Sequence, residues 1–260
     1  MAKLSKMLEL LVLSLRFRLR RALKRFNASK IRAIVVDVDG TFLENGLPIE
    51  ALKLAYGSRR GSEINKSLEG MYASGELSLD ESLIEGHRAL MRKGFSRRDW
   101  EKLIERSARL HARRNFIEAL KLLRKGGMRV ILSTKGSYYA AELLSRRFGF
   151  DGAVGSEEIF DSSGKITGLK TLLCGKNRTV NGVRVLCDSE FISRKLGLKP
   201  SEIAFIYDEF TDIVVMKRGG MFILMDSGKV PWRKLTDISV RFRTYDILLE
   251  DPKEIVKVFS

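Results

Sequence analysis

Two aspartates one residue apart, Asp37 and Asp39, close the apolar run that begins at Ile34, and Gly40 and Thr41 follow them. On an extended backbone, residues i and i+2 project to the same side, so both carboxylates share one edge of the strand exit. Two such groups repel unless a cation or a shared proton relieves them. Ionised groups set against a core are costly without partners. The pattern therefore reads as a site for chemistry. Gly40 permits a sharp turn there, and Thr41 adds a hydroxyl.

A second acidic pair has the same setting. The apolar stretch from Ile203 ends on Asp208, and Asp212 follows four residues later. If the two strands are neighbours, Asp37, Asp39, Asp208 and Asp212 converge on one sheet edge. An all-oxygen cluster of this kind suits Mg²⁺ better than zinc. A third apolar stretch, Met128 to Ser133, brings Ser133 and Thr134 to that edge, followed by Lys135 and Gly136. Hydroxyls beside the backbone N–H groups of a helix start form a phosphate cradle.

The elements that must position these groups follow from the hydrophobic pattern. Apolar segments at Ile31–Val38, Met128–Ser133, near Ala153, Ile203–Tyr207 and Met221–Met225 predict strands. Helical stretches ending on glycine lie between them. This alternation predicts an α/β fold with a Rossmann-like, largely parallel sheet. "IFDSSGKITG" predicts a hairpin around Ser163–Gly164. From Gly46 to Ala112 the alternation lapses into helical pattern alone. Ser78 and Glu81 have capping-box spacing, and Ser96 opens a helix whose Trp100, Leu103, Ile104 and Ala108 share a face. The expected organisation is a core of residues 31–45 and 113–260, a helical cap at 46–112, and an extension at 1–30. An insertion beyond a strand's C-terminal end lies over the ligand edge of an open α/β sheet, so this one is a candidate lid.

The net charge of +16 does not conflict with the acids. More than half of it lies in residues 1–32, which hold ten Lys/Arg and one Glu. The same segment carries Leu4, Leu8, Leu11, Leu15 and Leu19 at helical spacing. Its apolar stretch contains Glu9 and is far shorter than the roughly 20 residues of a membrane span. A basic amphipathic helix can lie on an anionic membrane surface, or pack on its own domain or a second copy. No basic–aromatic platform supports nucleic-acid binding. Two cysteines, Cys174 and Cys187, provide neither a disulfide framework nor a metal-binding spacing, which points to a reducing, cytoplasmic setting.

Asp37-x-Asp39-Gly40-Thr41, then Ser133, then Asp208-xxx-Asp212, in that order, resembles the haloacid dehalogenase superfamily. The insertion after the first motif and the "GKITG" hairpin are similar to its phosphoserine phosphatase branch. The resemblance runs from about residue 31 to the C-terminus and implies a core of that family's type. It implies phosphoryl transfer to Asp37 through an aspartyl-phosphate, with Asp39 as acid and base. It further implies Mg²⁺ held by Asp37, the Asp39 carbonyl and Asp208, with Asp212 on metal-bound water or ordering its loop. Ser133 and nearby N–H groups, with Thr41 and Thr134, would take the phosphoryl oxygens. The expected function is Mg²⁺-dependent hydrolysis of a small phosphorylated metabolite. The alternatives are a phosphate-binding protein that has lost turnover and a phosphatase module held at a membrane surface.

Several positions depart from the family pattern. The lysine expected ahead of the second acidic motif has its slot at Val185; Arg184 stands beside it and Lys176 is the other cation within reach. Tyr207 precedes Asp208 where the family has glycine, and a side chain of that size could narrow the site or touch substrate. The cap positions that hold a carboxylate-reading arginine in the phosphoserine phosphatase branch are Ile84 and Gly86, and Gly46 takes the place of an acid. These departures point to a phosphomonoester other than phosphoserine. His87 and His111 are expected to serve helix packing rather than catalysis.

Overall fold

The computed structural model describes residues 28–170, 178–180, 183–185, 188–208, 221–225, 247–249 and 251–259. The basic extension expected at residues 1–30 therefore lies almost wholly outside the described residues, as do Lys176 and Asp212. No described helix is long and apolar enough to cross a membrane.

The strands are β1 (Ala33–Asp37), β2 (Arg129–Ser137), β3 (Ala153–Phe160), β4 (Ile166–Lys170), β5 (Arg178–Val180), β6 (Val183–Val185), β7 (Ile203–Tyr207), β8 (Met221–Met225) and β9 (Ile247–Leu249). Among the described residues, seven form one sheet in the order β4-β3-β2-β1-β7-β8-β9, and β5 and β6 pair separately. All neighbours in the large sheet are parallel except β3 and β4. Strands buried on both faces read as unbroken apolar runs, as in "AIVV" and "IAFIY". Alternate β1 residues serve opposite faces. Ile34 and Val36 join the core with Phe42, Phe116 and Leu120, while Ala33 and Val35 join Ile192, Phe205 and Phe222.

Chain order reverses around β1, which lies between β2 and β7. Ligands of open α/β sheets bind at such a switch point, beyond the C-terminal strand ends. In register, Asp37 is opposite Ser133 and Val36 is opposite Ile206, so Asp37, Ser133 and Asp208 leave the sheet side by side.

Between β1 and β2 come α1 (Leu47–Tyr56), α2 (Ser58–Ser74), α3 (Leu79–Arg92), α4 (Arg97–Leu110) and α5 (Arg114–Lys125). The helix α5 packs Phe116, Ile117 and Leu120 into the sheet core. Ser78 with Glu81 and Ser96 with Asp99 form reciprocal capping boxes at α3 and α4, satisfying N–H groups that the first turn leaves unpaired. The start of α4 meets the β3–β4 hairpin: Arg97 N donates to Gly164 O and Ile166 N to Phe95 O, both at 2.9 Å. Arg97 also lies 4.6 Å over the Phe160 ring.

The remaining α-helices among the described residues are α6 (Tyr138–Phe148), α7 (Asp188–Leu196) and α8 (Ile255–Phe259). Two strands are longer than the sequence pattern predicts. β2 runs on through Thr134, Lys135 and Gly136 to Ser137, whose hydroxyl then caps α6 by accepting from Ala140 N. β3 continues into the hairpin, which turns at Asp161–Lys165 with the Asp161 carboxylate accepting from Ser163 N and Lys165 N.

Candidate active site

The site grows from the exit of β1. Phe42 N donates to Asp37 O and Leu43 N to Val38 O, folding residues 37–43 into a tight loop over the strand end. Gly40 has φ +88° there, a conformation open to glycine and strained for most other residues. Arg113, at the start of α5, holds this loop from outside. Its Nε donates to Thr41 O at 3.1 Å and its Nη2 to Gly40 O at 3.2 Å, and Glu44 lies 3.5 Å from its Nη1. Nothing in the local sequence around Arg113 marks this role. Only the return of the chain after four helices brings the guanidinium under the loop.

Asp39 is fixed by two donors. Thr134 Oγ1 reaches its Oδ2 at 3.0 Å, and the backbone N–H of Leu47, the first residue of α1, reaches its Oδ1. Helix N-termini favour negative charge, so α1 both begins the inserted helices and anchors this acid. Gly136 N donates to Thr134 Oγ1, also at 3.0 Å, and locks that hydroxyl toward Asp39. The N–H groups near Ser133 and Thr134 thus belong to the strand, since α6 begins only at Tyr138. That helix start approaches β3 closely: a Cβ at Gly155 would lie 2.7 Å from Tyr138 Cα.

Asp37 and Asp208 are both buried, at 6% and 2% exposure. Thr41, itself fully buried, donates to Asp208 Oδ1 at 3.3 Å. Asp37 Oδ2 is buried without a hydrogen-bond partner among the described residues. Burial, then the charges of Asp39 and Asp208, push the Asp37 carboxyl well above the usual carboxylate range, against a smaller opposing pull from Lys135 and the Thr41 hydroxyl. A nucleophilic carboxylate must be ionised, so the site calls for added positive charge at this point. Among the described residues no three His, Cys, Asp or Glu side chains form a complete ligand set. Mg²⁺ needs none, because it commonly takes one or two carboxylates and keeps several waters. Two buried carboxylates, one with an unpartnered oxygen, fit that ion.

The expected cations divide. Arg184 lies in β6, opposite Thr179 of β5 and outside the large sheet. Lys135 is in β2 and its charge acts on Asp37. Tyr207 stacks its ring on Phe205 at 6.2 Å and joins the core that also holds Ala33 and Val35.

A cleft of about 620 Å³, counting its open mouth, runs from Asp39, Thr134 and Gly136 toward the inserted helices, where Leu52, Leu83 and Trp100 line it. His87 is on its wall. His87 Nδ1 lies 2.9 Å from Leu83 O, and its Nε2 is 3.7 Å from the buried Glu158 Oε1.

The largely parallel sheet thus carries acids on two adjacent strand ends, after β1 and β7, and a hydroxyl on a third strand, β2. The family model for haloacid dehalogenase-like hydrolases matches residues 34–217, and the chain belongs to that family. A phosphoserine phosphatase of Archaeoglobus fulgidus is 28% identical over 205 residues, covering 79% of this chain and 55% of the relative, so the chain spans about half of that protein's length. A phospho-aspartyl intermediate analogue of phosphoserine phosphatase superposes with a TM-score of 0.60 at 21% identity, over 88% of this chain and 99% of the other. A phosphoserine phosphohydrolase-like protein from Francisella tularensis gives 0.63 at 14% identity, over 88% and 100%. These two likenesses concern the fold.

Proposed function

We propose that the protein is a Mg²⁺-dependent phosphatase that hydrolyses a small phosphomonoester through an aspartyl-phosphate on Asp37. The observation that carries this reading is the exit of Asp37, Ser133 and Asp208 from adjacent strands at the sheet's reversal point, with an Asp37 oxygen buried without a hydrogen-bond partner among the described residues and acted on by the charges of Asp39 and Asp208. Likeness to phosphoserine phosphatase supports the reaction type.

Asp37 attacks phosphorus, and the bond to the leaving oxygen breaks as that oxygen takes a proton from Asp39. A water then attacks the phosphoryl group, giving its proton to Asp39 and restoring the Asp37 carboxylate. Such acid–base assistance typically contributes ~10²–10⁴-fold. Thr134 and the Leu47 N–H hold Asp39 in place for both transfers. Ser133, with neighbouring N–H groups, receives the phosphoryl oxygens. Asp37, Asp208 and the Asp39 carbonyl would hold Mg²⁺, and Asp212 would hold metal-bound water or order its loop. A bound Mg²⁺ supplies charge neutralisation between a carboxylate nucleophile and a phosphate dianion. Residues 46–112 act as the cap over a core of 31–45 and 113–260, and residues 1–30 form an extension outside the chemistry.

The purified chain should hydrolyse p-nitrophenyl phosphate with Mg²⁺ and stop when EDTA is added. No turnover across a metal and pH series would instead favour a phosphate-binding protein.

A further inference from the structure

We infer that the alcohol released from the substrate is carbon-rich and carries no carboxylate or other second anion. This rests on the phosphatase reading, and it concerns the part of the cleft beyond Asp39. Since Asp39 lines the cleft, the group it protonates lies inside it. The walls are chiefly Leu47, Leu52, Leu68, Leu83, Leu90 and Trp100. Leu47, Leu52, Leu90 and Trp100 are no more than 3% exposed, so these walls are packed rather than loose surface.

No lysine or arginine lines the cleft among the described residues, and the ionisable groups that do are Asp39, Glu69 and His87. Of the nearby cations, Lys135 acts on Asp37 at the reacting end, and the others are committed elsewhere. Arg88 is mostly exposed and pairs with Glu85, Arg97 lies over Phe160, and Lys93 lies 4.8 Å over Tyr56. His87 does not supply a lone cation either. Its Nε2 faces the buried Glu158 carboxyl at 3.7 Å. A carboxylate entering this space would lose its water and meet no lysine or arginine, only the neutral side chains of Asn65 and Ser82 beside the apolar walls, which is unfavourable for an ion. Apolar carbon instead covers the leucines and the indole.

The test compares n-pentyl phosphate with 4-phosphonooxybutanoate, which places a carboxylate at the far end of a chain of similar length. With the full-length protein and Mg²⁺, kcat/KM should favour n-pentyl phosphate by at least about 10²-fold, as expected where a buried site cannot pair a charge. Equal or greater kcat/KM for the carboxylate ester overturns the inference. Isothermal titration of the Asp37→Asn protein with both esters reads the preference without turnover. A tenfold or larger Kd advantage for n-pentyl phosphate supports the inference even if the wild type hydrolyses neither, a result that counts against the phosphatase reading alone. Equal binding, or binding of neither ester, overturns it. Leu68 is half-buried, so Leu68→Arg should fold with an unchanged Tm and narrow the gap at least tenfold. An unchanged gap in that folded variant also overturns the inference.

Discussion

The Thr41 hydroxyl donates to Asp208 Oδ1 at 3.3 Å across 167 positions of sequence, and both residues are buried. This bond ties the loop after β1 to the end of β7. It therefore fixes the spacing of the two buried carboxylates, Asp37 and Asp208, before any cation arrives.

Thr41→Val removes that donor while keeping the shape of the side chain. An unsatisfied buried acceptor costs about 1–3 kcal/mol. The variant should lose stability in that range and show a Mg²⁺-induced rise in Tm that requires ~10-fold more metal. Thr41→Ser should restore both. A Mg²⁺ titration by thermal shift that is identical for Thr41→Val and wild type would show that Thr41 does not position Asp208.

Asp37→Asn should abolish turnover, by at least about 10³-fold as for other removed nucleophiles, and yet raise Tm in EDTA at neutral pH. Burial and two neighbouring carboxylates raise the Asp37 pKa in the folded chain. The folded state therefore holds this proton more tightly than the unfolded state. This group's contribution to stability consequently falls as pH rises from the unfolded carboxylate range through the raised folded pKa. Asparagine removes the penalty, so the Tm gain should be largest above that window and vanish at low pH. Melting curves in EDTA across a pH series check the sign.

The parts legible in sequence are those encoded by short patterns. β7 and β8 have the predicted bounds because apolar strands stop at Asp208 and at turn residues. The Ser78–Glu81 capping box is present as spaced. The acids were visible because charge at the end of an apolar run is locally anomalous. What escaped depends on distant pairing. Among the described residues the short strand β9 pairs with β8 alone, and it has no alternation of its own to reveal it. Continuation of β2 through "TKG" is imposed by pairing with β3, where Ser137 meets Ser156 after a shift in register, and local propensity favours a turn there. The face that Tyr207 chooses is likewise set by strand pairing.

Arg113 is the clearest residue of this second kind. Its guanidinium donates to two successive carbonyls of the loop that carries Asp39. Arg113→Ala should lower kcat by ~10–100-fold while changing KM little, since sub-ångström to ångström displacement of an acid is enough for such losses. Lysine cannot reproduce a planar fork with two directed donors, so Arg113→Lys should recover less than half of the lost activation free energy. Steady-state kinetics on folded variants separate this from general destabilisation: a rise in KM with kcat preserved would exclude a role in positioning Asp39.

The missing lysine of the family pattern gives the last prediction. Arg184 lies in a two-stranded ladder apart from the large sheet, and Lys176 lies outside the described residues, whereas the charge of Lys135 acts directly on Asp37. Lys135→Ala should therefore reduce kcat/KM more than Arg184→Ala or Lys176→Ala does, by about 10²-fold for loss of one preorganised charge at the reacting centre. The pH profile provides an independent reading. Lys135 lowers the Asp37 pKa, so its removal raises that pKa and moves the acid limb of kcat/KM to higher pH. Lys135→Arg keeps the charge and should keep the limb in place. If Lys135→Ala has wild-type kcat/KM while Arg184→Ala or Lys176→Ala does not, the neutralising cation comes from the β5–β6 region and Lys135 serves only the strand.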